Sequence, residues 1–352
     1  MEKKIIEQYV LNNSYVELTS NCNLRCLHCY NESGGKSNYL SEAAFKNIIN
    51  SLPDDQTASI TLSGGEPLLH PQIFQFINLV RERNLARALI ITNATLISEE
   101  IAEKLTAIRI GIQVSVNGSS SATHDLLCGN GNFDKTMKGI DYLLVTGNKN
   151  IRVRCMLSKF NKDDIVVMCK MLFEKGVRAI QIATLTILGR SKSNLESMYL
   201  TGDERTEIIK LLNNNEELCL LKDKGMDINI PEGVTIGCPY MDEYSEKISI
   251  TPRIVADGNV YLCQMFTDEL YSIGNVNENS IIDIVNGQQF EELVSFLRKG
   301  RKYMKDCSSC VWKTVCGRGC IALNCSNGSI QETDGECFGR KAYYFDQICN
   351  TK

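Results

Sequence analysis

Short apolar runs alternate with longer amphipathic stretches along the first two hundred residues of the chain. Runs rich in β-branched residues predict strands, whereas apolar positions three and four residues apart predict helices. Strands that alternate with helices are typical of a parallel α/β sheet. The pattern predicts strands over 15–19, 58–62, 88–92, 110–116, 151–157 and 179–184, and helices over 41–52, 71–83, 98–105, 133–145 and 162–175.

These six repeats predict the fold and the place of an active site. Six strands are too few to close an eight-stranded barrel, so we expect a partial, TIM-like (β/α)6 barrel with its active site at the carboxyl ends of the strands. The alternation ends near residue 190, residues 201–221 are predicted to be helical, and the remainder is rich in turns and cysteines. We therefore expect a barrel domain over 1–200, a bridging helical segment over 201–230 and a small cysteine-rich domain over 231–352.

Composition narrows the class of protein. The 352 residues are 43% hydrophobic and 23% charged, with a net charge of −4, which gives no basic surface for nucleic acid. We find no signal peptide and no apolar run of the roughly 18 residues that a membrane span needs. We therefore predict a cytoplasmic protein that binds neither nucleic acid nor membrane. This favours metal ligation over disulfides for many of the 16 cysteines, while Cys155 and Cys169 lie in apolar segments and are predicted to be core residues.

Three cysteines on the loop after the first predicted strand carry the most chemical information. Cys22, Cys26 and Cys29 are spaced C-x3-C-x2-C. Three neighbouring thiolates can hold three irons of a cubane iron–sulfur cluster and leave the fourth iron open to a small molecule. The alternative for these residues alone is a zinc knuckle, because zinc also binds closely spaced thiolates.

The spacing resembles the signature of the radical S-adenosylmethionine (radical SAM) enzymes, and other turns strengthen the resemblance. A Gly-Gly turn alone is usually only a turn, but the segment 64–67 resembles the GGEP motif, which in that family contacts the methionyl end of SAM. Segments 92–95 and 114–118 resemble the family's TNGT and SxDG turns, which also hold SAM. The resemblance implies that SAM is bound by Tyr30, Gly64, Gly65, Glu66, Pro67, Asn93, Ser115 and Asn117.

Some positions depart from the family pattern or have two interpretations. Asn117 stands where the family more often has aspartate. His124 begins a segment that resembles an HDxxRG motif, but Cys128 occupies the arginine position. For His124 we favour a solvated loop residue or a helix cap over a catalytic role. Tyr30 either packs near the adenine of SAM or is an ordinary packing residue.

The resemblance also implies a chemistry. The reduced cluster gives one electron to the sulfonium of SAM, and the bond between the sulfur and the 5′ carbon breaks. The resulting 5′-deoxyadenosyl radical takes a hydrogen atom from an unactivated carbon of the substrate. The protein orients the cofactors and excludes water.

A second set of cysteines lies in the C-terminal region, where a C-x2-C-x5-C-x3-C run and a G-x4-C segment occur. This set resembles the SPASM domain of radical SAM enzymes, which carries two auxiliary [4Fe–4S] clusters. A zinc ribbon would explain the C-x2-C pair but not the G-x4-C segment. The resemblance implies three [4Fe–4S] clusters in all, with one auxiliary cluster on Cys307, Cys310, Cys316 and Cys337 and the other on Cys238, Cys263 and Cys320.

The pattern does not identify a fourth ligand for this last cluster. Cys219, Cys325 and Cys349 are candidates, and the alternative is an open iron that binds a substrate thiolate. Each of these thiols is also a candidate hydrogen-atom donor to a substrate radical. We select Cys219 as the catalytic candidate, and we expect at least one of the three to be purely structural.

Most enzymes that combine these domains modify a peptide or protein. We therefore expect a maturase of a ribosomally made peptide (RiPP), which forms an intrapeptide thioether or carbon–carbon crosslink or epimerises a residue. The expected partners are the peptide or protein substrate and a flavodoxin- or ferredoxin-type reductant. Only 21 residues precede Cys22, so either a separate leader-peptide-binding protein or the two domains themselves recognise the peptide.

Three alternatives to a peptide maturase remain. An anaerobic sulfatase-maturating enzyme, which forms formylglycine, tends to have an aspartate after the G-x4-C cysteine, whereas Gln264 follows Cys263 here. A radical SAM enzyme that tailors a cofactor or porphyrin is the second alternative. The third is a non-catalytic iron–sulfur or zinc protein, which SAM cleavage would exclude.

Overall fold

The strands of the chain form one long open sheet and one small one. The computed structural model describes residues 9–11, 13–35, 37–53, 57–83, 85–231, 238–241, 248–302, 304–313, 316–317, 319–326, 328, 330–331 and 333–350. Its strands are β1 (Tyr9–Leu11), β2 (Asn13–Thr19), β3 (Ser59–Gly64), β4 (Arg87–Thr92), β5 (Gly111–Ser115), β6 (Ile151–Leu157), β7 (Ala179–Thr184), β8 (Asp227–Asn229), β9 (Ile248–Ile250), β10 (Arg253–Ile254), β11 (Asn259–Tyr261) and β12 (Gly274–Asn275).

The parallel part of the large sheet runs from β2 to β8, each strand pairing with the next in chain order. Strands β2 to β7 are the six expected from the sequence. Strand β8 is a seventh that the sequence pattern did not predict, and it lies at one edge of the sheet. The α/β class and the parallel sheet are therefore confirmed.

The C-terminal region extends the same sheet beyond β2. Strand β10 pairs with β2 in parallel, with Arg253 opposite Tyr15 and Ile254 opposite Val16. Strands β11 and β12 follow in antiparallel order, while β1 and β9 form a separate parallel pair. Backbone hydrogen bonds thus join the cysteine-rich region to the first strand of the barrel.

Helices cover the connections between the parallel strands and make up much of the C-terminal region. Short 3-10 turns occur at Pro67–Leu69, Pro239–Met241 and Glu269–Tyr271. The helices are α1 (Glu42–Ser51), α2 (Ile73–Glu82), α3 (Glu99–Ile108), α4 (Ser121–Cys128), α5 (Asn132–Val145), α6 (Ile165–Lys175), α7 (Arg190–Ser193), α8 (Leu195–Met198), α9 (Gly202–Asn213), α10 (Glu216–Asp223), α11 (Ile281–Val285), α12 (Gln288–Lys302), α13 (Lys305–Ser308), α14 (Ile321–Ser326) and α15 (Cys337–Asn350).

Local hydrogen bonds explain where the helices begin. The Ser41 hydroxyl accepts from the Ala44 backbone N–H at 3.1 Å, which caps α1 where the sequence predicted it. The helix expected over 71–83 instead begins at Ile73, after a 3-10 turn. The helix expected over 201–221 is broken, because Asn215 caps α10 by accepting from the Leu218 N–H at 3.1 Å.

The core lies between the parallel strands and the helices that follow them. In β6 every second residue faces the core, and the side chains of Ile151, Val153 and Leu157 are almost inaccessible to solvent. Cys155 and Cys169 are fully buried there, as predicted for core residues. No helix in the described ranges is both long and apolar enough to cross a membrane.

Candidate active site

A cavity opens at the carboxyl ends of the parallel strands, where the loops after β2, β3, β4 and β5 meet. It is lined by most of the residues that the sequence motifs singled out. Because these motifs come from separate loops, their meeting in one cavity is a property of the fold. The predicted residues in its wall are Cys22, Cys26, Cys29, Tyr30, Gly64, Gly65, Asn93, Ser115 and Asn117.

The loop that carries the three cysteines is held by the start of α7. The backbone N–H of Arg190 donates to the Cys29 carbonyl, and its guanidinium donates to the carbonyls of Cys26 and Ser33, each at 3.0 Å. Gly189 has φ +55°, and a Cβ there would lie 2.4 Å from the Tyr30 carbonyl oxygen. Contacts with Gly189 and Arg190 therefore fix the backbone of the cysteine loop before any ligand binds.

The three thiols of this loop lie within electrostatic reach of one another. Burial raises the pKa of Cys22 to about 12, and the neighbouring Cys26 and Cys29 raise it further. A hydrogen bond with Cys128 and burial also raise the pKa of Cys26. Thiolates in this setting need nearby positive charge, which the irons of a cluster would provide. The donor set therefore fits a cluster, and nowhere in the described ranges do three His, Cys, Asp or Glu side chains surround the position of a single metal ion.

The Gly-Gly turn packs directly on the cysteine loop. The Gly65 N–H donates to the Thr19 carbonyl at 2.7 Å, and the Glu66 N–H donates to the Asn21 carbonyl at 2.8 Å. Gly64 has φ +130°, a conformation that favours glycine. Only a residue without a side chain fits at either position, so the turn lies directly against the cysteine loop.

Glu66 and Pro67 do not line this cavity, although the motif led us to expect them to bind SAM. The Glu66 carboxylate is fully buried and accepts from the Thr92 hydroxyl at 2.8 Å, the Asn93 N–H at 2.8 Å and the Leu68 N–H at 3.2 Å. Burial raises the pKa of Glu66 to about 7 despite these donors. The carboxylate therefore joins the turn after β3 to the turn after β4.

The strands β5 and β6 contribute two polar groups that the sequence motifs did not indicate, Gln113 and Arg154, beside the predicted Ser115. Gln113 and Ser115 reach the cavity from β5, and Arg154 reaches it from β6. None of the described residues accepts a hydrogen bond from the Arg154 guanidinium. Arg154 is therefore available to bind a carboxylate.

His124 is part of the cavity wall, not the solvated loop residue or helix cap that we favoured. It lies within α4, is 1% exposed, and accepts from the Asn117 backbone N–H at its Nδ1, at 3.1 Å. This contact places the ring hydrogen on Nε2, which is buried and has no partner among the described residues. Burial lowers the pKa of His124 to about 4, so the ring is neutral at neutral pH. The Nδ1 of His28 is also buried and unpaired within the described chain.

The C-terminal region completes the cavity wall with Gln264 and Met265. Arg253 fixes this side, because its guanidinium donates to both Glu17 carboxylate oxygens, at 2.7 and 3.2 Å, and to the Asn31 side-chain oxygen at 2.9 Å. The titratable residues that line the whole cavity are histidine, cysteine, tyrosine and arginine. Within the described ranges, no aspartate or glutamate lines the cavity.

Tyr30 belongs to a buried chain of hydroxyl groups at the edge of the cavity. Its hydroxyl donates to that of Tyr15 at 3.0 Å, and the Tyr15 hydroxyl is 2.8 Å from that of Ser63. Burial holds the pKa of Tyr30 well above its usual value. Tyr30 is thus held by this polar chain as well as by packing.

One of the two predicted auxiliary sites forms a small cavity of its own. Arg340 lies beside Cys316 and Cys337 and pairs with the buried Asp334 at 2.5 and 2.9 Å. Trp312 and Tyr344 close the cavity with an aromatic wall. The four cysteines expected to share a cluster all line this cavity: Cys307, Cys310, Cys316 and Cys337.

The other predicted auxiliary site groups Cys263 with Cys238 and Cys320. Burial raises the pKa of Cys263 to about 12, and the nearby Cys238 and Cys320 raise it further. Cys325 is also near this group, since Cys320 is among the residues that raise its pKa, after burial. Of the three candidates for a fourth ligand, only Cys325 is placed here.

Cys219 and Cys349 are exposed, and neither lines the active-site cavity or the small auxiliary cavity. Cys219 lies in α10, where the neighbouring Leu218 and Leu221 are buried. A helix turns by about 100° per residue, so the thiol points away from that apolar face. The structure therefore places Cys219 outside both cavities, and its role as a ligand or hydrogen-atom donor stays a prediction without structural support.

A larger cavity of about 860 Å³ lies at the opposite, amino ends of β4 to β7. Five cations contribute to its wall, but none of the motif residues does. Size alone would select this cavity as the site, whereas the thiols, the buried unpaired histidine and the Gly-Gly turn all select the other one.

Comparison with protein families agrees with this choice. The Radical SAM superfamily model matches residues 16–172, and the SPASM model, an iron–sulfur cluster-binding domain, matches residues 232–311. The chain is a radical SAM enzyme with a C-terminal SPASM domain. The chain therefore binds SAM and iron–sulfur clusters.

Relatives of this radical SAM enzyme match along most of its length. The mycofactocin maturase MftC of Mycobacterium tuberculosis is 24% identical over 328 residues, 91% of this chain and 81% of the relative. The AdoMet-dependent heme synthase of Methanosarcina barkeri is 26% identical over 349 residues, 92% and 95% of the two chains. The solved structure of anSMEcpe with bound AdoMet and the Kp18Cys peptide has a TM-score of 0.73 at 18% identity, over 97% and 99% of the chains. This likeness confirms the radical SAM fold.

Sequence reasoning missed several residues of the radical SAM cavity. Arg154, Arg190 and Gln113 lie outside every motif, and only the three-dimensional arrangement brings them to the wall. The alternation of β6 does offer one signal, because Arg154 is a charged residue on a strand whose neighbours Val153 and Cys155 are fully buried.

Proposed function

We propose that this radical SAM enzyme modifies a ribosomally made peptide, either by an intrapeptide thioether or carbon–carbon crosslink or by epimerisation of a residue. The observation that carries the proposal is the meeting of Cys22, Cys26 and Cys29 with the Gly64-Gly65 turn and Ser115 in one cavity. When bound there, a reduced [4Fe–4S] cluster and SAM supply a 5′-deoxyadenosyl radical that abstracts a hydrogen atom from the substrate.

The residues of the cavity have separate tasks in this proposal. Cys22, Cys26 and Cys29 would hold the cluster, with Arg190 fixing their loop. Carbonyl groups of the Gly64-Gly65 turn would accept from the amino group of SAM, and Arg154, which has no acceptor among the described residues, would bind its carboxylate. Ser115 and Asn93 would orient the remainder of SAM, with Tyr30 at the edge.

The protonation states in the cavity suit a radical reaction. The His124 ring is neutral, because its pKa is about 4, and the buried Tyr30 stays protonated since its pKa is raised. The wall therefore carries fixed positive charge from its arginines and no carboxylate in the described chain. Such a wall fits an anionic SAM carboxylate and lacks a strong base.

Two of the relatives support a peptide substrate. MftC is named a maturase, and anSMEcpe was solved with a bound peptide. Two auxiliary [4Fe–4S] clusters, one on each C-terminal cysteine group, would provide an exit for the electron that crosslinking releases. A flavodoxin- or ferredoxin-type protein would be the reductant, and a separate leader-binding protein would deliver the peptide if the two domains do not bind it directly.

The heme synthase relative supports a second candidate function, the tailoring of a porphyrin. Its alignment with this chain covers 95% of its own length. Oxidation of a sulfatase residue has less support. Gln264, the residue after Cys263, lines the cavity, and an amide cannot serve as the base.

The test is SAM cleavage by the reduced, anaerobically reconstituted protein, with the short peptides encoded beside its gene and a porphyrin as substrates. Replacing Cys22, Cys26 and Cys29 together by Ala should abolish formation of 5′-deoxyadenosine. Replacing Cys307 and Cys310 by Ala should leave some uncoupled cleavage but no modified product.

Cys219→Ala is the matched control, because this thiol is exposed on α10, and it should behave as wild type. Full product formation by the Cys307/Cys310 variant would contradict our assignment of the auxiliary cluster. A wild-type protein that does not cleave SAM would refute the proposal as a whole.

A further inference from the structure

Two departures from the radical SAM motifs contact each other in the structure. The Asn117 side-chain Nδ2 donates to the Cys128 sulfur at 3.3 Å, and both residues are buried. An aspartate at position 117 would have no hydrogen to donate to the sulfur. The asparagine and the cysteine therefore form a matched pair that neither motif predicts.

Hydrogen bonds fix the orientation of the Asn117 amide. Its Oδ1 accepts from the Met156 backbone N–H at 2.9 Å, and its own carbonyl accepts from the Asn161 side chain at 3.1 Å. A flipped amide would place its NH2 group against the Met156 N–H, so Nδ2 must face Cys128. All four polar groups of Asn117 are bonded to protein, because its N–H donates to His124.

Cys128 is in turn held against the predicted cluster loop. The Leu27 N–H donates to the Leu127 carbonyl at 2.9 Å, which joins the loop to α4. Cys26 and Leu27 pack on the buried cluster that contains Leu127 and Cys128. The thiols of Cys26 and Cys128 are hydrogen bonded to each other. Once Cys26 is a cluster ligand its thiolate carries no hydrogen, so the Cys128 thiol is the donor in this hydrogen bond.

We propose that Cys128 is a positioning residue for the N-terminal [4Fe–4S] cluster, whose thiol donates a hydrogen bond to the Cys26 sulfur and raises the reduction potential of that cluster. The inference rests on the proposed function. A hydrogen bond to a ligand sulfur stabilises negative charge on the cluster, and the reduced state carries one more negative charge than the oxidised state. In the same wall the Nε2 of His124 is buried and has no partner among the described residues, which independently indicates that a ligand binds at this side of the cavity.

The experiment is a redox titration followed by electron paramagnetic resonance of the reconstituted protein. The N-terminal cluster is identified by the change of its signal when SAM is added. In Cys128→Ala the ratio of reduced to oxidised cluster at a fixed potential should fall, by up to about tenfold, since a hydrogen bond contributes roughly 0.5–1.5 kcal/mol. Tenfold corresponds to about 59 mV for one electron. Cys128→Ser keeps a donor and should lie closer to wild type.

Cys155→Ala is the matched control: this buried thiol also accepts from an amide, Asn161 at 3.5 Å, but does not line the cavity, and its loss should leave the potential unchanged. An unchanged potential in Cys128→Ala would overturn the inference.

If Cys128→Ala does not bind iron, Cys128→Val, which fills the space of the thiol without a hydrogen-bond donor or a charge, decides: a wild-type potential would overturn the inference, and a lowered one would support it. A wild-type protein without a SAM-responsive signal would refute the proposed function before any variant is compared.

Discussion

Replacing Gly65 by alanine should disable the active site through a single methyl group. A Cβ at this position would lie 2.0 Å from the Asn21 carbonyl oxygen, 2.5 Å from its carbonyl carbon and 3.0 Å from the Cys22 Cβ. Most of these contacts are with backbone, so no flexible side chain can move aside. The cysteine loop itself must shift.

The size of the shift follows from these distances. Non-bonded heavy atoms approach to about 3.5 Å at best, so the loop has to move by more than about 1 Å. Overpacking of this kind costs about 1–3 kcal/mol, and the 2.8 Å hydrogen bond from the Glu66 N–H to the Asn21 carbonyl would be strained as well. Metal–ligand distances tolerate only about 0.2 Å, so displacement of Cys22 should cost far more in iron binding than in folding.

Iron per chain after anaerobic reconstitution, the rate of SAM cleavage and urea unfolding of the metal-free protein would measure the effect. Gly65→Ala should lose about one third of the iron, the share of one of the three proposed clusters, and at least about tenfold in SAM cleavage. Gly35→Ala in the same loop is the control, because nothing lies within 4 Å of its Cβ position. Wild-type iron and cleavage in Gly65→Ala would show that the turn does not press on the cysteine loop.

Two further variants test the buried carboxylate and the auxiliary site. The pKa of Glu66 is raised from 4.5 to about 7 in the folded protein. Its protonated form therefore stabilises the fold below pH 4.5, and this contribution, at most about 3 kcal/mol, is lost as the pH rises through 7. Glu66→Gln should show a smaller loss of unfolding free energy between pH 5 and 8 than wild type, and an identical pH dependence would contradict the raised pKa. Cys325→Ala should lower auxiliary-cluster iron while Cys219→Ala leaves it unchanged, and equal iron in both would remove Cys325 as a fourth ligand.

Local patterns were sufficient to predict the barrel and its motif residues. Strands β2 to β7 are short apolar runs: every second residue is buried in β6, and all but the first residue are buried in β2, as in strands that are covered on both faces. Ser41 caps α1 through a bond to a residue three positions away. The cysteine spacing and the Gly-Gly turn lie next to strand ends, so a parallel sheet had to bring them to one edge.

Contacts between distant segments could not be predicted in the same way. Strand β8 has three residues, too few for a period. We expected His124 to be solvated because its side chain is polar. It is buried instead, because it contacts Asn117 and because α4 packs against the cysteine loop. Glu66 has a motif position that suggests a ligand contact, whereas its neighbours Thr92 and Asn93 turn it into a link between loops.

Contacts connect the active cavity first to one proposed auxiliary site and then, through that site, to the other. Gln264, in the cavity wall, directly follows Cys263 of the first site. The Cys320 N–H of that site donates to Asp334 at 2.9 Å, and Asp334 pairs with Arg340, which lines the cavity of the second site. An electron that leaves a substrate radical would therefore meet the Cys263 site before the other one. In the proposed reaction, damage to the Cys263 site should prevent oxidation at its first step, whereas damage to the outer site should block only the onward transfer.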